Sequence, residues 1–169
     1  MDLINEFITV LLRENSVLEQ LIEISTEKQK MIILGQTEEL DKLVQKEGIV
    51  VSNLGKLEDA RFQYQIKLAQ GWKLQAEELS SARLIEKMTP THPGLLPDLK
   101  HQLEHLQEAL RKLKDINNEN NELLKMSLDY IEEMQYLLGG EDAGTYSEKG
   151  LQSNPYQDRP SSSILDRKA

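Results

Sequence analysis

The 169-residue chain contains no cysteine. That excludes a disulfide framework and any thiolate metal site, and it leaves the redox compartment open. Aromatic residues are scarce at 5%, with a single tryptophan. Basic charge is short as well: 20 Lys and Arg stand against 29 Asp and Glu, a net charge of −9. Phosphate binding needs a basic patch, so nucleic acid is not an expected partner. An anionic membrane surface is disfavoured for the same reason. No apolar run approaches the ~20 residues of a membrane span, so no membrane insertion is expected. The start, Met1-Asp2-Leu3, lacks the basic region of a signal peptide. A cytoplasmic location is the expectation. Also missing are a Gly-rich phosphate loop, a Ser/His/Asp set and a dinucleotide fingerprint. Acidic pairs such as Glu77-Glu78 and Glu132-Glu133 are sequence neighbours on outer faces, which is solvated charge. The expectation is a protein that is not an enzyme, with no catalytic residue and no cofactor.

What is present is leucine, glutamate, lysine and glutamine, the composition of long helices. The most regular stretch runs from Leu95 to Leu138. Leu99, Leu103, Leu106, Leu110 and Leu113 recur at alternating spacings of four and three. Asn117, Asn120, Leu124, Ser127, Ile131, Met134 and Leu138 continue the phase. Unbroken 3–4 spacing is the seam of a long helix packed along another helix. At about 1.5 Å per residue such a rod is about 60 Å long, so it needs partner helices.

Earlier in the chain, helix 1 is expected over residues 2–34 and helix 2 over 37–70. Helix 1 carries one row at Ile4, Ile8, Leu11, Asn15, Leu18 and Ile22, beside a second at Phe7, Val10, Val17, Leu21 and Ile24. That stripe is wide enough to face two helices. Gly35 supplies the stop, because glycine adopts positive φ without strain, and Thr37 is the expected N-cap of helix 2. The short connection makes an antiparallel hairpin. Gly48 and Gly55 lie seven apart on one face of helix 2. They imply either a close helix–helix approach or a kink. Gly71-Trp72 ends helix 2, and a short helix follows over residues 80–88. Prolines and Gly94 then make a loop, and the long helix runs over 97–138. Beyond it, residues 139–169 are rich in Gly, Ser, Pro and scattered charge, which predicts a disordered tail. The fold class is therefore all-α: an antiparallel hairpin plus a long third helix, a coiled-coil-like three-helix bundle.

Three features compete for function. His101-Gln102-Leu103-Glu104-His105 matches H-x-x-E-H, a zinc-protease pattern. It has no obvious third ligand, and its face is opposite the leucine stripe, so both imidazoles are expected to point to water and no metal is expected. Asn117 and Asn120 sit on the seam, either fixing register or marking where internal packing ends. Residues 123–138 hold a surplus of apolar and tyrosine side chains. Leu123, Met126, Tyr130 and Leu137 form an extra row beside Leu124, Leu128 and Ile131. Two apolar faces mean either bundle core or a docking groove for a partner helix, which methionine suits.

The residues resemble the FlgN family in their order along the chain. In helix 1 these are Leu18-Glu19-Gln20-Leu21-Ile22-Glu23-Ile24, Lys28-Gln29 and Leu34-Gly35, followed by Glu38, Leu40 and Leu43. In the long helix they are Asn117-x-x-Asn120-x-x-Leu123-Leu124-x-x-Ser127-Leu128-x-Tyr130-Ile131. The resemblance implies a cytoplasmic export chaperone for flagellar hook-associated proteins, binding their C-terminal helical segments and delivering them to the type III export apparatus. It places client binding at Leu123, Leu124, Ser127, Leu128, Tyr130, Ile131, Met134 and Leu138. It also implies that Tyr146, in Thr145-Tyr146-Ser147-Glu148-Lys149-Gly150, docks at the export gate, with the export ATPase components as further partners. Such a chaperone is expected to be monomeric or weakly self-associating without client. The alternative is a homodimeric coiled-coil adaptor whose interface is 123–138.

Overall fold

The computed structural model describes residues 2–139. They form helices α1 (Leu3–Leu34), α2 (Thr37–Gly71), α3 (Ser81–Met88) and α4 (Leu96–Gly139), with short 3-10 turns at Ala76–Glu78 and Pro93–Leu95. No strand occurs among the described residues, so the all-α expectation holds. The chain divides into a unit over residues 1–128 and a second from residue 129 onward. The packing described here belongs to the first.

Local chemistry sets the helix ends. Asp2 caps α1, its side chain accepting from the Ile4 N–H at 3.4 Å. Gly35 stops α1 at φ 65, as the sequence implied. Its N–H donates to the Ile32 carbonyl at 3.2 Å, and the Gln36 N–H donates to that of Met31 at 2.9 Å. These two bonds form a Schellman motif, which satisfies carbonyls that the helix end would otherwise strand. Thr37 is not the N-cap of α2. Gln36 takes that position without a side-chain bond, and Thr37 is already helical, because the turn closes within two residues. The other end of α2 falls at Gly71-Trp72, as the sequence implied. Gly71 is helical, and Lys73 takes the left-handed position at φ 57. The Lys73 N–H donates to the Gln70 carbonyl at 3.0 Å and that of Leu74 to Ala69 at 2.9 Å, the same motif as at Gly35. The stop falls there because Trp72 and Leu74 turn in to pack on the core. A hydrophobic contact after the stop outweighs the preference for glycine in it.

Hydrogen-bond pairs give the directions. Glu14 meets Arg61 and Lys28 meets Glu47, so α2 runs antiparallel to α1. Asn15 meets Gln102 and Ser25 meets Asn117, so α4 runs parallel to α1. The segment between α2 and α4 therefore starts and ends at the α1 N-terminal end. There Ile4, Phe7 and Leu11 pack with Leu68, Ala69, Leu79, Leu84, Met88 and Leu99. Each fully buried leucine in such a cluster contributes about 1.5–3 kcal/mol over an exposed one. α3 adds Leu84 and Met88 at i and i+4, with Ser80 Oγ accepting the Arg83 N–H at 3.3 Å as its N-cap. A smaller cluster of Leu18, Leu21 and Ala109 follows further along. α2 buries only Leu68 and Ala69. The core is densest at the α3 end and thins toward the Gly35 turn.

Candidate functional site

Over residues 99–120, α4 is locked to α1. Leu99 is 0% exposed, and Ala109 lies in the second core cluster. Polar side chains set the register between these apolar contacts. Asn15 Nδ2 donates to the Gln102 carbonyl at 3.0 Å and to Gln102 Oε1 at 2.8 Å. Ser25 Oγ donates to Asn117 Oδ1 at 3.0 Å, and Asn120 Nδ2 donates to the Ser25 carbonyl at 2.8 Å. Asn120 is 3% exposed. A helix slipped by one turn would bury these amides without partners, at a cost of about 1–3 kcal/mol per group. Asn117 and Asn120 are therefore register devices within one continuous helix.

They also mark a boundary. From residue 121 to residue 138 no side chain is buried. Leu123 and Met134 are half-buried, while Leu124, Ser127, Leu128, Tyr130, Ile131 and Leu138 are exposed. Leu128 reaches 60% and Leu138 86%. Met126 and Leu137 of the extra row, and Tyr136, are equally open, although the resemblance did not place client binding on them. Among the described residues the surplus apolar stretch is an exposed helix face and not a filled seam. Ser127 Oγ donates to the Leu123 carbonyl one turn back at 2.9 Å, which leaves its lone pairs as acceptors. Tyr146 and the expected tail from residue 140 lie outside the described residues.

The histidine pair reads differently from its sequence. His101 is exposed, but His105 Nε2 lies 3.1 Å from Glu19 Oε1 on α1 and does not simply face water. Its position one turn before Ala109 brings it to the edge of the α1 seam. No cluster of three or more metal-ligating side chains occurs among the described residues.

One buried ion pair escaped sequence reasoning. Glu14 is 1% exposed and accepts from Arg61 Nε at 3.0 Å. Its Oε2 is buried without a partner among the described residues. Burial raises the Glu14 pKa above its ordinary value, and the Arg61 charge only partly offsets this. The available signal was position: Glu14 falls between Leu11 and Leu18 at the spacing of the inner row.

A sequence model of one family, described as FlgN protein, matches residues 1–154. No curated protein and no solved structure matches the chain.

Proposed function

The chain belongs to the FlgN family, that of flagellar export chaperones, and from that premise we propose that it escorts flagellar hook-associated proteins in the cytoplasm. The clients are the hook–filament junction proteins. Their C-terminal helical segments dock on α4 through Leu123, Leu124, Ser127, Leu128, Tyr130, Ile131, Met134 and Leu138. Binding hides the surfaces by which these clients assemble, and the complex delivers them to the type III export apparatus. Tyr146 is the contact to the export gate. Nothing in this role calls for catalysis.

The observation that carries the reading is the exposure of apolar side chains along α4 after its last lock at Asn120. Solvent-facing leucine, isoleucine, methionine and tyrosine at helical spacing suit an amphipathic helix laid alongside. A disordered client that folds on this face loses ordering entropy but buries apolar area. The expected affinity is micromolar to nanomolar, about −8 to −12 kcal/mol. Much tighter binding would oppose release at the export gate.

The test replaces Leu124, Leu128 and Ile131 together by serine in the full chain and titrates in a client C-terminal peptide by calorimetry. Binding is expected to vanish while helicity by circular dichroism stays within a few per cent. Unchanged affinity with helicity intact would remove this face from the proposal. In the same assay Tyr146→Ala is expected to keep client affinity and to weaken capture by the isolated gate component.

A further inference from the structure

α2 carries two rows at alternating spacings of four and three. One includes Val50, Leu54, Arg61 and Leu68 and faces the core, where Arg61 meets Glu14 and where Val50 and Leu54 pack on Leu18 and Leu21. The other runs Val44, Gly48, Val51, Gly55, Glu58 and Phe62, then continues in the same phase as Gln65, Ala69 and Trp72. Over those last three positions the chain covers the row itself. Gln65 Nε2 donates to the carbonyls of Ala76 and Leu79, at 3.1 and 3.2 Å, and Ala69 is buried against the same segment. Over the first six the row is open, with only Gly55 half-buried. Val51 is 51% and Phe62 46% exposed, and a Cβ added to Gly48 or Gly55 would meet nothing within 4 Å. No approach among the described residues accounts for those glycines.

We propose that this open row is a self-association surface on which α2 of a second copy lies antiparallel. The row fits its own reverse. Turning it about residue 53 sets Val51 opposite Gly55 of the second copy, Glu58 opposite Gly48 and Phe62 opposite Val44, each twice by the two-fold symmetry. Each glycine then receives a larger side chain over its bare backbone. The parallel arrangement fails on charge and volume, because it opposes Glu58 to Glu58 and glycine to glycine. The surface continues a packing seam that this chain already uses at Gln65 and Ala69, so the second copy extends an existing interface. The open part is about 27 Å long at about 1.5 Å per residue. Two such faces bury area in the small-interface class, below about 1,200 Å². The dimer is therefore reversible and forms only at high concentration. It involves a different helix from the client reading and does not depend on it.

Sedimentation equilibrium of the full chain, from low micromolar to several hundred micromolar, tests this. The expected apparent mass rises toward twice the monomer. Val51→Lys and Phe62→Lys are each expected to hold it at the monomer mass with unchanged helicity, since both side chains are exposed. Because the chain has no cysteine, Ser52→Cys supplies a single thiol beside the two-fold. A short bismaleimide is expected to cross-link it into dimers, and not to cross-link Lys46→Cys on the opposite side of α2. A monomer at every concentration would overturn the proposal. So would self-association that survives Val51→Lys but is lost in Leu128→Lys, which would move the interface to α4. Loss of client-peptide binding in Val51→Lys, with the native chain monomeric throughout, would assign the row to another protein.

Discussion

Residues 99–120 and 123–138 lie on the same helix and carry similar apolar periodicity, yet the first stretch is bound into a core and the second is open to solvent. Leucine content does not distinguish them. The difference lies in what α1 offers opposite: Asn15, Ser25 and the leucines between them along the first stretch. A helical stripe states where a contact can form, and only the facing element decides whether one does. Stability should accordingly reside in the first stretch and recognition in the second.

The largest expected effect breaks the packed half. Leu99→Ala removes a fully buried side chain and should cost about 2–5 kcal/mol in urea unfolding. If it costs no more than a surface change, the division between the two stretches is wrong. Next comes the lock. Asn120→Ala removes a buried hydrogen bond to the Ser25 carbonyl, which keeps its helical partner, and should cost about 0.5–1.5 kcal/mol, read as a lowered urea midpoint.

A third test concerns polarity inside the packed half. Burial holds the Glu14 carboxyl above its ordinary value of 4.5, so the native state binds that proton more tightly than the unfolded chain does. The ionised group is therefore destabilising at neutral pH, and the penalty is relieved as pH falls through the raised pKa toward the ordinary value. Glu14→Gln keeps an oxygen acceptor for Arg61 and should thus raise stability at neutral pH. That gain should shrink on acidification and vanish below the ordinary value, as thermal melts across pH would record. The smallest effect belongs to the open stretch, where Leu138→Ser should change stability by less than about 0.5 kcal/mol.

Much of this was legible in the sequence. Periodicity located every α-helix to within a residue or two, and Gly35 announced its own turn, because both signals are local. The Asn117 and Asn120 phase was visible too, since a polar residue on a seam is a pattern feature. What stayed hidden depended on distant residues. Lys73 occupies a left-handed position because Trp72 and Leu74 have a core to reach. Glu14 is buried because Arg61 sits a helix away, and His105 finds Glu19 because α4 runs parallel to α1. The openness of 123–138 could be posed from sequence only as a choice, since burial is settled by a facing surface and not by the residues themselves.

The separation in sequence between paired residues orders events in time. Lys28 and Glu47 are 19 positions apart, while Asn120 and the Ser25 carbonyl are 95 apart. On a ribosome the α1–α2 hairpin can close while α4 is still being synthesised, because short loops close fast and long ones late. Asn15 stays wet until residue 102 emerges, and Ser25 until residues 117 and 120 do. A nascent chain arrested after α2 would thus display half a core, and the final helix would finish the molecule as a zipper drawn from the Leu99 end.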